Sequence, residues 1–119
     1  MKDRFRFRVW DKQNREMKYD ILDDLEYYLR YDEIFDVIQC TGLKDKNGKL
    51  IYEDDYLKNE KGIVFELVFE EKSCGLLLYQ KNEDEYYYPC YNTNQFKNRN
   101  ICEMEIVGNV YENKELLND

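Results

Sequence analysis

Three arginines alternate along the first strand-like stretch, Arg4, Arg6 and Arg8, and Trp10 follows two residues later. A cationic stripe beside an aromatic ring has the composition to grip phosphates and stack a base. The same stripe could instead pair with an acidic face of its own fold or of a second copy, since charged strand faces are commonly solvated or paired. A second group, Glu53-Asp54-Asp55, recurs in kind at Glu70 and Glu71. Clustered carboxylates can hold Mg²⁺ or Ca²⁺, but the spacing matches no EF-hand loop, and adjacent acids in a turn are ordinarily solvated. A third group is aromatic: Tyr86, Tyr87 and Tyr88, with Tyr79 and Tyr91. Tyrosines are favoured at protein interfaces and serve equally well as core. Tyr86 and Tyr88, with the arginines and Trp10, are the candidate partner contacts.

Groups that carry turnover are scarce. The 119 residues include no His, so no imidazole is at hand for proton transfer near neutral pH. Ser73 is the only serine and lacks a G-x-S-x-G setting. No glycine-rich phosphate loop occurs among the five glycines. Cys40, Cys74, Cys90 and Cys102 are 34, 16 and 12 residues apart, with no C-x-x-C pair to seat zinc. These features predict a protein that is not an enzyme and uses no cofactor, with reduced, mostly buried thiols. No signal peptide or membrane-length apolar run is seen, which points to the cytoplasm.

The elements that must position these groups are strands. The chain has no Ala, the best helix former, and carries 12 Tyr, 6 Phe and 1 Trp. Residues 4–10 alternate strictly, placing Phe5, Phe7 and Val9 on one face and the arginines on the other. Asp11 to Glu16 reads as a turn that lets residues 17–19 pair back. Ile21, Leu22, Leu25, Tyr28 and Leu29 stand at helical spacing, and Asp20 is a candidate cap, so residues 20–31 are read as one short helix. Residues 33–40 form the next strand. Asp45-Lys46-Asn47-Gly48 is a tight turn, Leu50–Tyr52 is extended, and Glu53–Asp55 turns again. Residues 62–69 give the clearest strand, with Ile63, Phe65, Leu67 and Phe69 on one face. Short strands follow at 76–79 and 86–88, the latter stopped by Pro89. Residues 91–100 read as an irregular loop. The last strand spans 101–111 and bends at Gly108, before a terminal turn capped by Asn113. Five or six short strands of this kind predict a small barrel or orthogonal sandwich.

Two blocks carry a family resemblance. Gln39, Thr41 to Lys49, Ile51, Tyr52, Glu53 and Asp55 fit a pattern Q-x-T-G-L-K-D-K-N-G-K-x-I-Y-E-G-D. Gly108, Asn109, Tyr111, Glu112, Asn113, Glu115, Leu116 and Leu117 fit a closing I-G-N-x-Y-E-N-P-E-L-L, and Arg8, Trp10 and Asp11 fit an N-terminal Arg-x-Trp-Asp. The chain resembles the YopX-type phage and prophage proteins over residues 4–117. Asp54 stands where that pattern has Gly; should the position need a positive φ, Asp tolerates it better than most residues. Lys114 replaces its Pro, and Val107 its Ile. The resemblance marks Thr41, Gly42, Asp45, Asn47, Gly48, Glu53, Asp55, Gly108 and Asn109 as signature turn residues. It implies an SH3-like β-barrel, placed at about residues 39–113 after an N-terminal strand or hairpin extension (1–38) with one short helix. It also implies a viral or prophage origin inside a bacterial host. No reaction comes with it.

The formal net charge is −8, although the first ten residues carry +3. An acidic surface repels nucleic acid over most of its area. A protein partner or self-association is therefore the leading expectation. Action on nucleic-acid machinery, as an acidic DNA mimic or a weak binder through the arginine strand, is the alternative.

Overall fold

The computed structural model describes residues 2–72, 74–80, 86–89 and 100–117. The fold is mainly β. β1 (Phe7–Asp11), β2 (Glu16–Tyr19), β3 (Phe35–Lys44) and β4 (Leu50–Tyr52) form one antiparallel sheet in the order β2-β1-β3-β4. β5 (Asp55–Lys58), β6 (Val64–Glu70), β7 (Gly75–Gln80), β8 (Tyr86–Pro89) and β9 (Glu105–Asn109) form the other, in the order β8-β7-β6-β5-β9. That second order is an antiparallel meander whose last strand returns beside its first, the connectivity of an SH3-like barrel. A 3₁₀ turn at Ile101–Glu103 leads into the returning strand. β3 runs unbroken through residues 38 and 39, so the expected extension and the start of the expected barrel share one sheet. The curled sheet begins at Asp55.

The N-terminal alternation extends less far than predicted. Lys2–Phe5 is a 3₁₀ turn, so the strand opens at Phe7 and the three arginines do not form one continuous face. Within β1 the period of two holds. Val9 packs with Ile21 and Phe35, beneath the helix α1 (Leu25–Arg30), and Trp10 packs on the opposite face with Ile38, Cys40 and Tyr52. Both faces of β1 are therefore covered.

The predicted helix at 20–31 is a 3₁₀ turn (Leu22–Asp24) followed by α1. Asp20 does not cap it: Asp20 adopts φ 55°, and neither N-cap position makes a side-chain hydrogen bond. So short a helix is marginal alone and depends on packing. Tyr28 supplies it, edge-on to Phe35 at 4.8 Å.

The main core lies in the curled sheet: Ile51, Leu57, Phe65, Leu67, Leu78, Ile101 and Met104. β6 shows where the alternation stops predicting burial. Phe65 and Leu67 are buried, but Phe69, on the same face, is 50% exposed because the strand outruns its cover. The final strand is shorter than read, since 101–103 is a 3₁₀ turn. It is also irregular at the predicted place, with its register against β5 shifting between Ile106 and Gly108. Pro89 sits within β8, opposite Leu77, rather than beyond it. Residues 91–99 lie outside the described residues. Among the described residues, no helix is long and apolar enough to cross a membrane.

Candidate functional site

The two sheets meet around the turn between β4 and β5. Arg8 reaches it from β1, its guanidinium 2.9 Å from the carboxylate of Asp55 through Nη1 and donating through Nη2 to the carbonyl of Glu53 at 3.1 Å. Both charged side chains are almost wholly removed from water, at 2% and 3% exposure. The second oxygen of Asp55 accepts the amide of Tyr52 at 2.8 Å, and the Tyr52 ring lies 4.8 Å from the Arg8 guanidinium carbon. Among the described residues, Nε of Arg8 finds no hydrogen-bond partner. An unsatisfied buried donor costs about 1–3 kcal/mol.

Asp54 takes φ 70°, a conformation that the Gly of the family pattern adopts without steric cost. Its amide donates to Leu67, its carbonyl accepts from Val110, and its carboxylate accepts the Tyr111 hydroxyl at 2.9 Å. Strands β1 and β6 and the segment after β9 are thus fastened to one three-residue turn.

The other signature residues build the flanks. Asp45, itself buried, accepts the amides of Asn47 and Lys49 with one oxygen and that of Ile106 with the other. It shapes its own turn, where Gly48 supplies φ +82°, and pins that turn to β9. Thr41 accepts from Leu43 and donates to the Ile51 carbonyl. Asn109 accepts the amides of Tyr111 and Glu112, while Asn113 turns back to accept the Asn109 amide. That last bond corrects the expectation that the Asn113 side chain caps the terminal turn. It also explains Gly108: a Cβ there would stand 2.5 Å from the Asn113 amide oxygen. Gly42 lies in β3, where an added Cβ would meet Arg4.

Between these parts lies a cleft of about 700 Å³. Arg8, Tyr19 and Tyr52 line it from the first sheet, with Lys49 and Leu50 at the hairpin. Val107, Gly108, Asn109 and Glu112 line the other side.

The electrostatics follow from burial. Desolvation pushes Asp55 up to about 6, against the pull of Arg8 and the Tyr52 amide. It pushes Glu66, on β6, up to about 7, with the nearby Asp54 adding to the rise. Tyr52 is raised to about 12 by burial, and burial also raises the thiols of Cys40 and Cys102. Of the thiols read as mostly buried, Cys40 is buried, Cys102 half-buried and Cys74 exposed, and Cys90 lies outside the described residues.

The candidate contact residues are not brought together. Arg8 and Trp10 are buried, and Trp10 stacks on Tyr111 at 5.7 Å. Arg6 is exposed and paired with Asp3 and Asp20. Arg4 is exposed on the 3₁₀ turn. Tyr88 packs edge-on to Phe65, while the Tyr86 side chain and Tyr91 lie outside the described residues. Glu53, Asp54 and Asp55 are spent on the turn, and no three His, Cys, Asp or Glu among the described residues are placed to hold a metal ion.

A surface that sequence reading passed over lies on α1 and its flanks. Leu22, Tyr27, Leu29 and Tyr31 are each about half exposed, at 46–55%. They stand in a segment, residues 20–33, with six acids against the single Arg30. A hollow of about 330 Å³ opens there between Tyr27, Tyr31, Asp23 and Asp24. The helical spacing predicted apolar residues on a core face. Leu25 and Tyr28 occupy that face, and the surplus beyond it was the available signal.

A protein-family model described as YopX protein matches residues 21–118. Among solved structures, the crystal structure of protein EF1440 from Enterococcus faecalis is similar, with a TM-score of 0.57 and 22% sequence identity over 94% of this chain and 96% of that one. That likeness concerns the fold. No curated protein matches.

Proposed function

The chain belongs to the YopX family, and on that premise we propose that it is a phage or prophage accessory protein of the bacterial host's interior that binds another protein and turns over no substrate. The observation that carries this reading is the acidic, apolar-centred face of α1. Exposed apolar groups rimmed by charge mark interaction sites. The partner that fits is a basic surface offering an apolar seat for Tyr27 and Leu29. Self-association through this face is opposed by its own charge, because two copies would bring carboxylates against carboxylates. The missing histidine and the raised thiols of Cys40 and Cys102 support a binding role over catalysis.

The test is affinity capture from host lysate with the full chain and with a Tyr27→Ser, Leu29→Ser variant, backed by light scattering. The reading expects a protein retained by the parent chain, released at raised salt and lost from the variant at unchanged melting temperature. An empty capture, or one indifferent to both substitutions, overturns it.

The six carboxylates of residues 20–33 also favour a second reading, an acidic surface that imitates DNA phosphates. Under it the captured partner binds DNA, and duplex DNA competes with this chain. The arginine-strand route to nucleic acid draws on Arg4 and Arg6 alone, since Arg8 is committed to Asp55.

A further inference from the structure

β4 and β9 are end strands of their sheets, each paired on one side. They border the cleft that Arg8 lines. At one end of that cleft the hairpin after β3 is tied to β9, with the Lys46 amide donating to Met104 and Ile106 donating to Asp45. At the other end the Val110 amide donates to Asp54. Both strands run from the first junction to the second, so they point the same way with an open slot between them.

Two further observations say what the slot would hold. Arg8 lines the slot from the first sheet, in a side chain 98% removed from solvent. Its charge is already matched by Asp55, so a phosphate or other anion gains little there. The slot also has a polarity: Lys49 lies at its first junction and Glu112 beyond its second.

We propose that the cleft between β4 and β9 binds a short, extended peptide lying antiparallel to both strands. Its carboxyl end lies toward Lys49 and its amino end toward Glu112. Strand addition at a sheet edge is an established mode of peptide recognition, with the main chain supplying affinity. At about 3.3 Å per residue, the three residues of β4 match three or four residues of guest. The cleft volume lies within the range of about 300–1,000 Å³ usual for ligand sites. This site is separate from the face of α1, and its test is independent of the partner sought there.

The experiment exposes the immobilised full chain to an equimolar library of unblocked tetrapeptides and identifies those retained by mass spectrometry. The best-retained peptide is then titrated, free and in its acetylated, amidated form, while backbone amide resonances are followed. Expected are shifts at Val107 and Gly108, with binding weakened at least fivefold by blocking the termini and by Lys49→Glu, an exposed position outside the core. Val107→Trp, which fills the slot, should abolish retention, and a thermal melt reports whether that variant folds. No retention above a blank surface overturns the proposal. So does equal affinity in Lys49→Glu, or the same resonance shifts with inorganic phosphate in place of peptide.

Discussion

Removing one member of the buried Arg8–Asp55 pair should be far more damaging than removing both. The guanidinium and carboxylate are 2.9 Å apart with almost no solvent contact, so each is the other's replacement for water. Asp55→Asn keeps the shape and an oxygen for the Tyr52 amide, but leaves Arg8 charged and unmatched. Breaking a buried pair in this way costs about 3–5 kcal/mol. For a chain of this size about 4 °C of melting temperature goes with each kcal/mol, giving a fall of roughly 12–20 °C. Arg8→Met leaves the opposite orphan, and here the two variants diverge with pH. The amide of Asp55→Asn does not titrate, whereas the parent loses stability as Asp55 ionises through about 6, so the Asp55→Asn penalty narrows between pH 5 and pH 8. Asp55 without Arg8 is raised still further. A group whose folded pKa is raised contributes stability at low pH that is lost as pH rises, so Arg8→Met should be mild at pH 5 and severe at pH 8. The double variant Arg8→Met, Asp55→Leu should recover most of either loss, because apolar replacement of a buried pair is often neutral or better. Urea unfolding of the four proteins at pH 5 and pH 8 gives the cycle. A coupling below about 1 kcal/mol, or equal pH dependence in the two single variants, would refute the reasoning.

Glu66 and Asp55 both carry raised folded values, so the parent protein should lose stability as pH climbs from about 5 to 8, and Glu66→Gln should flatten the upper part of that decline in thermal melts. Gly108→Ala should cost about 1–3 kcal/mol through its clash with Asn113, and adding Asn113→Gly should return much of the loss in urea midpoints. Asp45→Ala removes three amide acceptors at once and should cost about 3 kcal/mol. Hydrogen exchange should then quicken at Ile106 as the hairpin comes away from β9.

The strands and turns were legible in the sequence because they rest on local rules. The Asn47-Gly48 turn and the run through Phe65 and Leu67 each follow from neighbours a few residues away. The site was not legible, because period-two alternation says which residues share a face and not whether that face is wet. Arg8 stands where the pattern put it, opposite Val9, yet α1 covers one side of β1 and the β4–β5 turn the other. Its partner Asp55 is 47 residues distant, and only long-range packing joins them. The signature residues were visible as a set, but their roles were not. Asp45 and Asn109 look like solvated turn formers, while in the fold their side chains tie separate segments together. The apolar surplus of α1 is present in the sequence too. Spacing alone did not separate Leu25 and Tyr28, which pack inward, from Tyr27 and Leu29, which face solvent.

The claim that this chain works by contact through α1 is tested most directly by mapping the captured partner's footprint with amide hydrogen exchange. The account predicts protection concentrated in residues 22–31, falling away as ionic strength rises. Protection placed elsewhere, with residues 22–31 exchanging as in the free protein, would contradict it.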